Sequence, residues 1–191
     1  MTPPATVICV TPVKNEAWIL ERFLRCASVW ADHVILADQG STDGSREIAA
    51  RFAKARLVDN PDPAYDEGAR QRLLLREARR ISGRRVIVAL DADEALSANV
   101  TDSAEWQRLL AAPEGTVARF DWVNVLPGFE RCWVPGEKVA FGFVDDGSGH
   151  AGERIHSTRV PASGPSVELS DVKALHFQYV ARRRMEGKQR W

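Results

Sequence analysis

Short apolar runs alternate with longer amphipathic segments in the first half of the chain. Five consecutive apolar residues, Val86 to Leu90, predict a strand buried on both faces, because a strand with one wet face would alternate. Similar runs start at Val7 and Val34, and a shorter one at Leu57. Between them, apolar residues recur every three or four positions, which is the period of a helix. The order strand, helix, strand, helix, strand, helix, strand predicts crossover units and a parallel sheet.

The second half of the chain has a different pattern. Apolar and polar residues alternate from Val117 to Val125, and Pro127-Gly128 separates this run from Phe129 to Val134, which predicts an antiparallel hairpin. Another strand is predicted from Val139 to Val144. We therefore expect an α/β fold with a mostly parallel central sheet flanked by helices and an antiparallel second half.

Residues typical of helix starts and ends give approximate bounds for the predicted helices. The helices after the first are expected at Ser45 to Lys54, Tyr65 to Ile81 and Thr101 to Ala112. Thr101 or Asp102 is the expected cap of the last. A length of 191 residues suits one domain. We expect residues 1–96 and 97–180 to be two halves of it, with 181–191 as the start of a truncated C-terminal helix.

Composition excludes some classes of partner. Lys plus Arg and Asp plus Glu number 26 each, so overall charge gives no reason to expect nucleic acid or an anionic membrane as the main partner. The 3 cysteines are far apart and lack metal-ligand spacing, which predicts reduced thiols. No run of 18 apolar residues occurs, so we expect a soluble protein, and the reduced cysteines indicate a cytoplasmic one. The basic segment from Val180 to Trp191 is the candidate for a peripheral membrane contact.

Polar clusters follow three of the predicted strands, at Thr11 to Glu16, Asp38 to Asp43 and Asp91 to Glu94. The carboxyl ends of parallel strands meet at one edge, where ligands of open α/β sheets bind. These clusters predict a nucleotide or phosphate site. The chain lacks both G-x-G-x-x-G after the first strand and G-x-x-x-x-G-K, which argues against dinucleotide enzymes and P-loop ATPases. Three adjacent acids, Asp91, Asp93 and Glu94, are expected to mark the point where the fourth strand reaches solvent. They also repel one another unless a cation or hydrogen-bond donors balance them.

Three ordered motifs resemble those of the inverting family 2 glycosyltransferases. They are Val13-Lys14-Asn15-Glu16, Asp38-Gln39-Gly40-Ser41-Thr42-Asp43-Gly44 and Asp91-Ala92-Asp93-Glu94, and the resemblance covers residues 6–96. It implies a Rossmann-like GT-A fold that binds a nucleotide-sugar donor, UDP-hexose being the expected one. It also implies a glycan or lipid-linked acceptor, which would meet the second half of the domain.

The resemblance assigns roles residue by residue. Asp38 would hydrogen-bond the base, and Asp91 and Asp93 would be the D-x-D pair that holds Mn²⁺ or Mg²⁺, with Asp93 the expected direct ligand of the metal. His176 matches a late histidine that in some enzymes of this fold joins the metal or the diphosphate. The residues expected to line the nucleotide are Thr11, Pro12, Val13, Asn15, Glu16, Asp38, Ser41, Asp43, Arg70, Asp91 and Ala92.

Inverting transfer also needs a general base for the acceptor hydroxyl. Asp145 and Asp146 are the nearest equivalent of the family's late acidic pair. Related enzymes often have His-Glu where this chain has His156-Ser157, so the glutamate base is absent at that position, and His156 itself is a weaker candidate.

Structural roles compete with these functional ones. Asp38 and Asp43 could cap the following helix, Asp91 and Asp93 could lie in a solvated turn, and Arg70 could belong to a solvated helix face. At the level of function, two alternatives stay open. The chain could be a catalytically silent nucleotide-sugar-binding module, or a sugar-1-phosphate nucleotidyltransferase. The second normally has a glycine-rich basic loop after the first strand, and Thr11-Pro12-Val13 is not one.

Overall fold

The computed structural model describes residues 4–62, 64–161 and 164–180. In this part of the chain nine strands form one sheet. They are β1 (Thr6–Val13), β2 (His33–Asp38), β3 (Ala55–Asp59), β4 (Arg85–Ala89), β5 (Glu94–Leu96), β6 (Val117–Val125), β7 (Cys132–Trp133), β8 (Val139–Val144) and β9 (Ser166–His176). The helices are α1 (Ala17–Trp30), α2 (Ser45–Ala49), α3 (Glu67–Ala78) and α4 (Ala104–Ala111), with a 3-10 turn at Val100–Asp102.

The strand order is β3-β2-β1-β4-β8-β6-β9-β5, and β7 pairs with β6. Strands β1 to β4 are mutually parallel, which confirms the predicted parallel half. Strand β8 is antiparallel to β4, β6 is antiparallel to β8, and β9 runs parallel to β6. The carboxyl ends of β1, β2, β4, β6 and β9 therefore lie at one edge of the sheet.

Helices cover both faces of the sheet and bury its apolar side chains. On one face α1 and α4 pack through Leu20, Phe23 and Leu109 against alternate residues of the central strands. On the other face α3 packs against β1 and β2, where Leu74 shares a buried cluster with Ile8 and Ile35. Every residue of the run Val86 to Leu90 is buried, as predicted for a strand covered on both sides.

Helix bounds differ from the predictions where a local cap decides them. Helix α4 begins at Ala104 because the Ser103 hydroxyl accepts hydrogen bonds from the Glu105 and Trp106 amides, both at 3.1 Å. The predicted cap at Thr101 or Asp102 was therefore wrong. Helix α2 ends at Ala49 instead of Lys54, because the chain turns there to enter β3.

Strand β5 was not predicted, and it changes the environment of the acidic cluster. The acids were expected to mark the point where the chain reaches solvent, yet Asp93 and Glu94 are 4% and 1% exposed. The expectation was wrong because β5 pairs with β9, which covers the segment from a distant part of the chain.

Residues 181–191 lie outside the described part of the chain, so the predicted C-terminal helix and its membrane contact remain predictions. Within the described residues, no helix combines the length and the hydropathy needed to cross a bilayer.

Candidate functional site

A cleft of about 190 Å³ opens at the carboxyl ends of β1, β2 and β4. It is smaller than the roughly 300–1,000 Å³ of closed ligand pockets, so a bound nucleotide would extend out of it. The first polar cluster contributes Pro12, Val13, Lys14 and Glu16. The other lining residues are Ala37, Gln39, Tyr65, Arg70, Asp91, Ala92 and Asp93.

Two predicted nucleotide residues join the loops around the cleft instead of lining it. The Asn15 amide donates to the Ser41 hydroxyl at 2.9 Å, and the Thr42 amide donates to Asn15 Oδ1 at 2.8 Å. Asn15 has φ 55°, a left-handed conformation that asparagine tolerates better than most residues. These bonds hold the β1–α1 turn against the β2–α2 loop. Thr11, also predicted to line the nucleotide, is fully buried within β1 and is not part of the lining.

Asp43 binds the first backbone amide of two helices, α1 and the α2 that follows it. Its Oδ2 accepts from the Ala17 amide of α1 at 2.9 Å, while Oδ1 accepts from the Ser45 amide of α2 at 3.1 Å and from the Ser45 hydroxyl at 2.6 Å. Burial acts to raise the pKa of Asp43, but the hydrogen bonds from Ser45 and Ala17 outweigh it and hold the pKa below its usual value. The side chain thus positions α1 and lies outside the cleft lining.

Asp38 is buried and paired with an arginine. Its Oδ2 accepts from Arg46 at 2.6 Å, and the same guanidinium donates to Asp59 at 2.9 Å. Its neighbours Ala37 and Gln39 line the cleft, because successive residues of a strand point to opposite faces. The structure therefore does not support the predicted bond from Asp38 to the base.

Gln39 lines the cleft and was missed from the sequence. Its side-chain amide donates to the carbonyls of Asp62 at 2.7 Å and Ala64 at 2.9 Å, which fixes the loop before α3 at the cleft wall. The signal was available, since Gln39 belongs to the polar cluster that follows the second predicted strand.

Two basic side chains line the cleft. Arg70, in the first turns of α3, places its guanidinium 4.7 Å from the centre of the Tyr65 ring. Tyr65 in turn donates to Glu67 at 2.6 Å. Lys14 lies in the turn after β1 and is exposed. Lys14 and Tyr65 were not predicted, although Lys14 belongs to the first quoted motif.

The acidic cluster contains an internal cation, Arg159. Its guanidinium donates to Asp91 Oδ2 at 3.0 Å and to both carboxylate oxygens of Glu94. Glu94 also accepts from the Asp91 amide and from Trp122 Nε1, each at 2.8 Å. Burial raises the pKa of Glu94 to about 7, although Arg159 acts in the opposite direction. The sequence did not indicate Arg159, because it lies more than 60 residues from its partners.

His176 meets the cluster from the end of β9. Its Nδ1 lies 2.8 Å from Asn124 Oδ1, an oxygen that can only accept a hydrogen bond. Nε2 lies 3.8 Å from Asp93 Oδ1. The ring also stacks on Trp122, with centroids 4.7 Å apart, which fixes its orientation.

This donor set fits a divalent cation that takes most of its ligands from a substrate. Among the described residues no group of three or more His, Cys, Asp or Glu side chains is arranged to hold a metal. Mg²⁺ in phosphate-transfer sites nevertheless binds through one or two carboxylates together with substrate phosphates and water. The Asp93 carboxylate beside an imidazole Nε2 provides such a partial site, and imidazole favours Mn²⁺ over Mg²⁺.

Asp145 and Asp146 do not reach this site. They follow β8, which is antiparallel to β4, so they lie at the opposite edge of the sheet, where the Asp145 amide donates to the Arg85 carbonyl at 3.0 Å. Six residues of extended chain separate Arg85 from Asp91, or roughly 20 Å. The prediction that this pair is the general base is therefore not supported. That prediction was based on the position of the pair in the sequence, and sequence position does not reveal the direction of a strand.

The remaining candidate residues are either packed inside the protein or exposed to solvent. His156 is exposed, has φ 61° and lies in the loop between β8 and β9. Tryptophans can stack on sugar rings, but Trp106 is buried in the core and Trp122 contacts Glu94 and His176. Trp133 is half exposed on β7.

The sequence profile described as Glycosyl transferase family 2 matches residues 8–102, which include all three polar clusters of the parallel half. The chain belongs to this glycosyltransferase family. Its sheet, parallel in the first half and flanked by helices, is the Rossmann-like GT-A arrangement expected for the family. The sequence has no match among curated proteins.

Solved structures similar to this family 2 glycosyltransferase include proteins with different activities. S. aureus TarS is 13% identical with a TM-score of 0.48, covering 69% of this chain and 23% of TarS. The inositol-1-phosphate CTP transferase from T. maritima is 9% identical with a TM-score of 0.47, covering 99% of this chain and 95% of that one. A 4-diphosphocytidyl-2C-methyl-D-erythritol synthase is 15% identical with a TM-score of 0.45, covering 74% of this chain and 72% of that one. This chain thus spans less than a quarter of the length of TarS.

Proposed function

We propose that this family 2 glycosyltransferase is a metal-dependent inverting enzyme that transfers a hexose from a UDP-sugar to a glycan or lipid-linked acceptor. The observation that carries the proposal is the position of Asp93 and His176 beside a cleft lined by Lys14 and Arg70. Carboxylate and imidazole ligands suit a divalent ion, and the two basic side chains suit the diphosphate that such an ion would bridge.

The remaining lining residues suit a nucleoside. Val13 and Ala37 offer apolar contacts for the base, while Gln39 and Glu16 provide polar groups at the same wall. Lys14 and Arg70 would hold the diphosphate by charge-assisted hydrogen bonds as negative charge develops on the leaving group. Mn²⁺ or Mg²⁺, when bound, would supply further Lewis-acid stabilisation of that charge.

Thermal denaturation with UDP tests the donor site. UDP with Mn²⁺ at about one hundred times the dissociation constant should stabilise the protein by about 2.7 kcal/mol, which raises Tm by roughly 5–10 °C. In Asp93→Asn the Mn²⁺-dependent part of that shift should disappear, because the variant loses the anionic ligand. Asp102→Asn, at an exposed position outside the cleft lining, is the matched control and should keep the full shift. An undiminished shift in Asp93→Asn would remove Asp93 from the site.

Product analysis distinguishes the proposed reaction from the alternatives. Incubation with UDP-hexose and Mn²⁺ should release UDP, by slow hydrolysis or by transfer to an added saccharide. A nucleotidyltransferase would instead release pyrophosphate from a nucleoside triphosphate and a sugar 1-phosphate. A silent binding module would show the thermal shift and neither product.

A further inference from the structure

The segment between β8 and β9 inserts one arginine into the acidic cluster. Arg159 is hydrogen-bonded to Asp91 and doubly to Glu94, and its guanidinium carbon lies 4.7 Å from the centre of the Phe141 ring. The carboxylate of Glu94 is fully buried and the side chain of Arg159 is 20% exposed. Arg159 is thus a permanent counter-ion, because an arginine keeps its charge at any relevant pH.

The backbone that carries Arg159 is fastened to helix α3. The Ser157 amide donates to the Glu67 carboxylate at 2.9 Å, and the Glu67 amide donates to the Arg154 carbonyl at 2.9 Å. The Gly68 amide donates to the Glu153 carbonyl at 3.0 Å. These bonds fix the loop on both sides of the turn before Arg159, so the guanidinium is positioned in advance of any ligand.

Arg159 makes hydrogen bonds to two of the three acids. It binds Asp91 and Glu94 directly and attracts the Asp93 carboxylate only through space, whereas Asp93 Oδ1 lies 3.8 Å from His176 Nε2. A divalent ion ligated by Asp91 Oδ2 would have to displace the guanidinium or lie directly against it. Like charges a few ångströms apart repel, and solvent at Asp91, whose side chain is 43% exposed, reduces this repulsion without removing it.

We propose that Arg159 is a positioning residue that reserves Asp91 and Glu94 as its own partners and thereby directs the divalent ion to Asp93 and His176. This inference rests on the proposed function. It gives Arg159 control over metal affinity without contact between Arg159 and the metal.

Mn²⁺ titration in the presence of saturating UDP, followed by the electron paramagnetic resonance of free Mn²⁺, tests the assignment without measuring turnover. Asp91→Asn should change the Mn²⁺ dissociation constant less than about threefold, whereas Asp93→Asn should weaken binding at least about tenfold. Arg159→Met should tighten binding by about tenfold, because a nearby positive charge is lost and Asp91 is released. Adding Asp91→Asn to Arg159→Met should cancel that gain, since Asp91 becomes a ligand only when Arg159 is absent.

Two further variants protect the experiment from a folding artefact. Arg159→Lys keeps the charge and should retain an affinity within about threefold of the wild type. Arg159→Met combined with Glu94→Gln removes the carboxylate that would otherwise be buried without a partner, and it should still bind Mn²⁺ more tightly than Glu94→Gln alone. Equal losses in Asp91→Asn and Asp93→Asn, or unchanged affinity in both Arg159→Met backgrounds, would overturn the assignment. A wild-type protein that binds no Mn²⁺ with UDP would instead overturn the proposed function.

Discussion

The Asp145 carboxylate stabilises the fold and lies away from the cleft. Its side chain is fully buried and accepts from Arg79 Nη2 at 2.8 Å, from Arg85 Nε at 2.9 Å and from the Gly147 amide at 3.1 Å. Burial acts to raise the pKa of Asp145, but Arg79, the Gly147 amide and Arg85 outweigh it and hold the pKa below its usual value. The ionised form therefore ties the end of β8 to α3 and β4.

Asp145→Asn should destabilise the protein by about 3–5 kcal/mol at neutral pH, because two arginines lose a buried partner. A carboxyl whose pKa is lowered by folding stabilises the native state above its unfolded pKa of about 3.9. That stabilisation is lost as the pH falls through the lower folded pKa. The difference between wild type and variant should therefore shrink in acid, which urea denaturation at neutral pH and at about pH 3 can measure.

Asp146→Asn is the matched control for this prediction. Asp146 is exposed and its oxygen accepts from the Ser148 amide at 2.9 Å, so an asparagine oxygen can replace it. The expected change is within about 0.5 kcal/mol. Equal urea midpoints for Asp145→Asn and wild type would contradict the structural role assigned to Asp145.

At this scale the sequence indicated which loops surround the site but not every side chain in it. Arg70 and Asp91 line the cleft as predicted, whereas Asp38 points to Arg46 and its two neighbours line the cleft. A motif gives the position of a loop at the end of a strand. A shift of one residue along a strand reverses the side-chain direction, and that direction depends on packing.

At the scale of elements, the start of α1 depends on side chains from the next loop. Glu16, at the cap position of α1, makes no side-chain capping hydrogen bond. The backbone amides at the helix start find acceptors in the next loop. The Glu16 amide donates to the Ser45 hydroxyl and the Ala17 amide donates to the Asp43 carboxylate, each at 2.9 Å. The loop that begins with the second polar cluster thus stabilises α1, the helix that follows the first cluster.

Asp43→Ala should cost about 0.5–2 kcal/mol, the usual range for loss of a helix cap. Because Asp43 supports the turn that carries Lys14 and Glu16, UDP affinity should fall as well. Thr42→Ala, at the neighbouring exposed position, should change neither stability nor affinity. Chemical denaturation and UDP titration on both variants provide the comparison, and equal stability of the two would show that Asp43 does not cap α1.

The sequence predicted most elements of the parallel half because each is a local unit with its own period. It could not predict β5, a strand of three residues whose only described partner is β9, about 80 residues later. The same limit on prediction from local patterns applies to the site. Asp93 and His176 were both proposed, but Arg159 reaches the cluster through long-range contacts that no local pattern encodes.

At the scale of the whole molecule, one sheet joins the two halves. Strand β8 pairs with β4 of the parallel half and with β6 of the antiparallel half. One buried cluster contains residues of both, from Val7 and Val88 to Phe141 and Ala174. Neither half can bury its side of this cluster alone, so we expect the two halves to unfold together.

Phe141→Ala tests this coupling. Phe141 is fully buried at the junction, in edge contact with Phe120 at 6.2 Å between ring centres, and its truncation should cost about 3–5 kcal/mol. Far-ultraviolet circular dichroism and tryptophan fluorescence should give one coincident transition in both proteins, shifted to lower urea in the variant. Phe129→Ala, at a site 59% exposed, should shift it by no more than about 0.5 kcal/mol. Two separated transitions would mean that the parallel half folds independently, and that the cleft can form without the half that supplies Arg159 and His176.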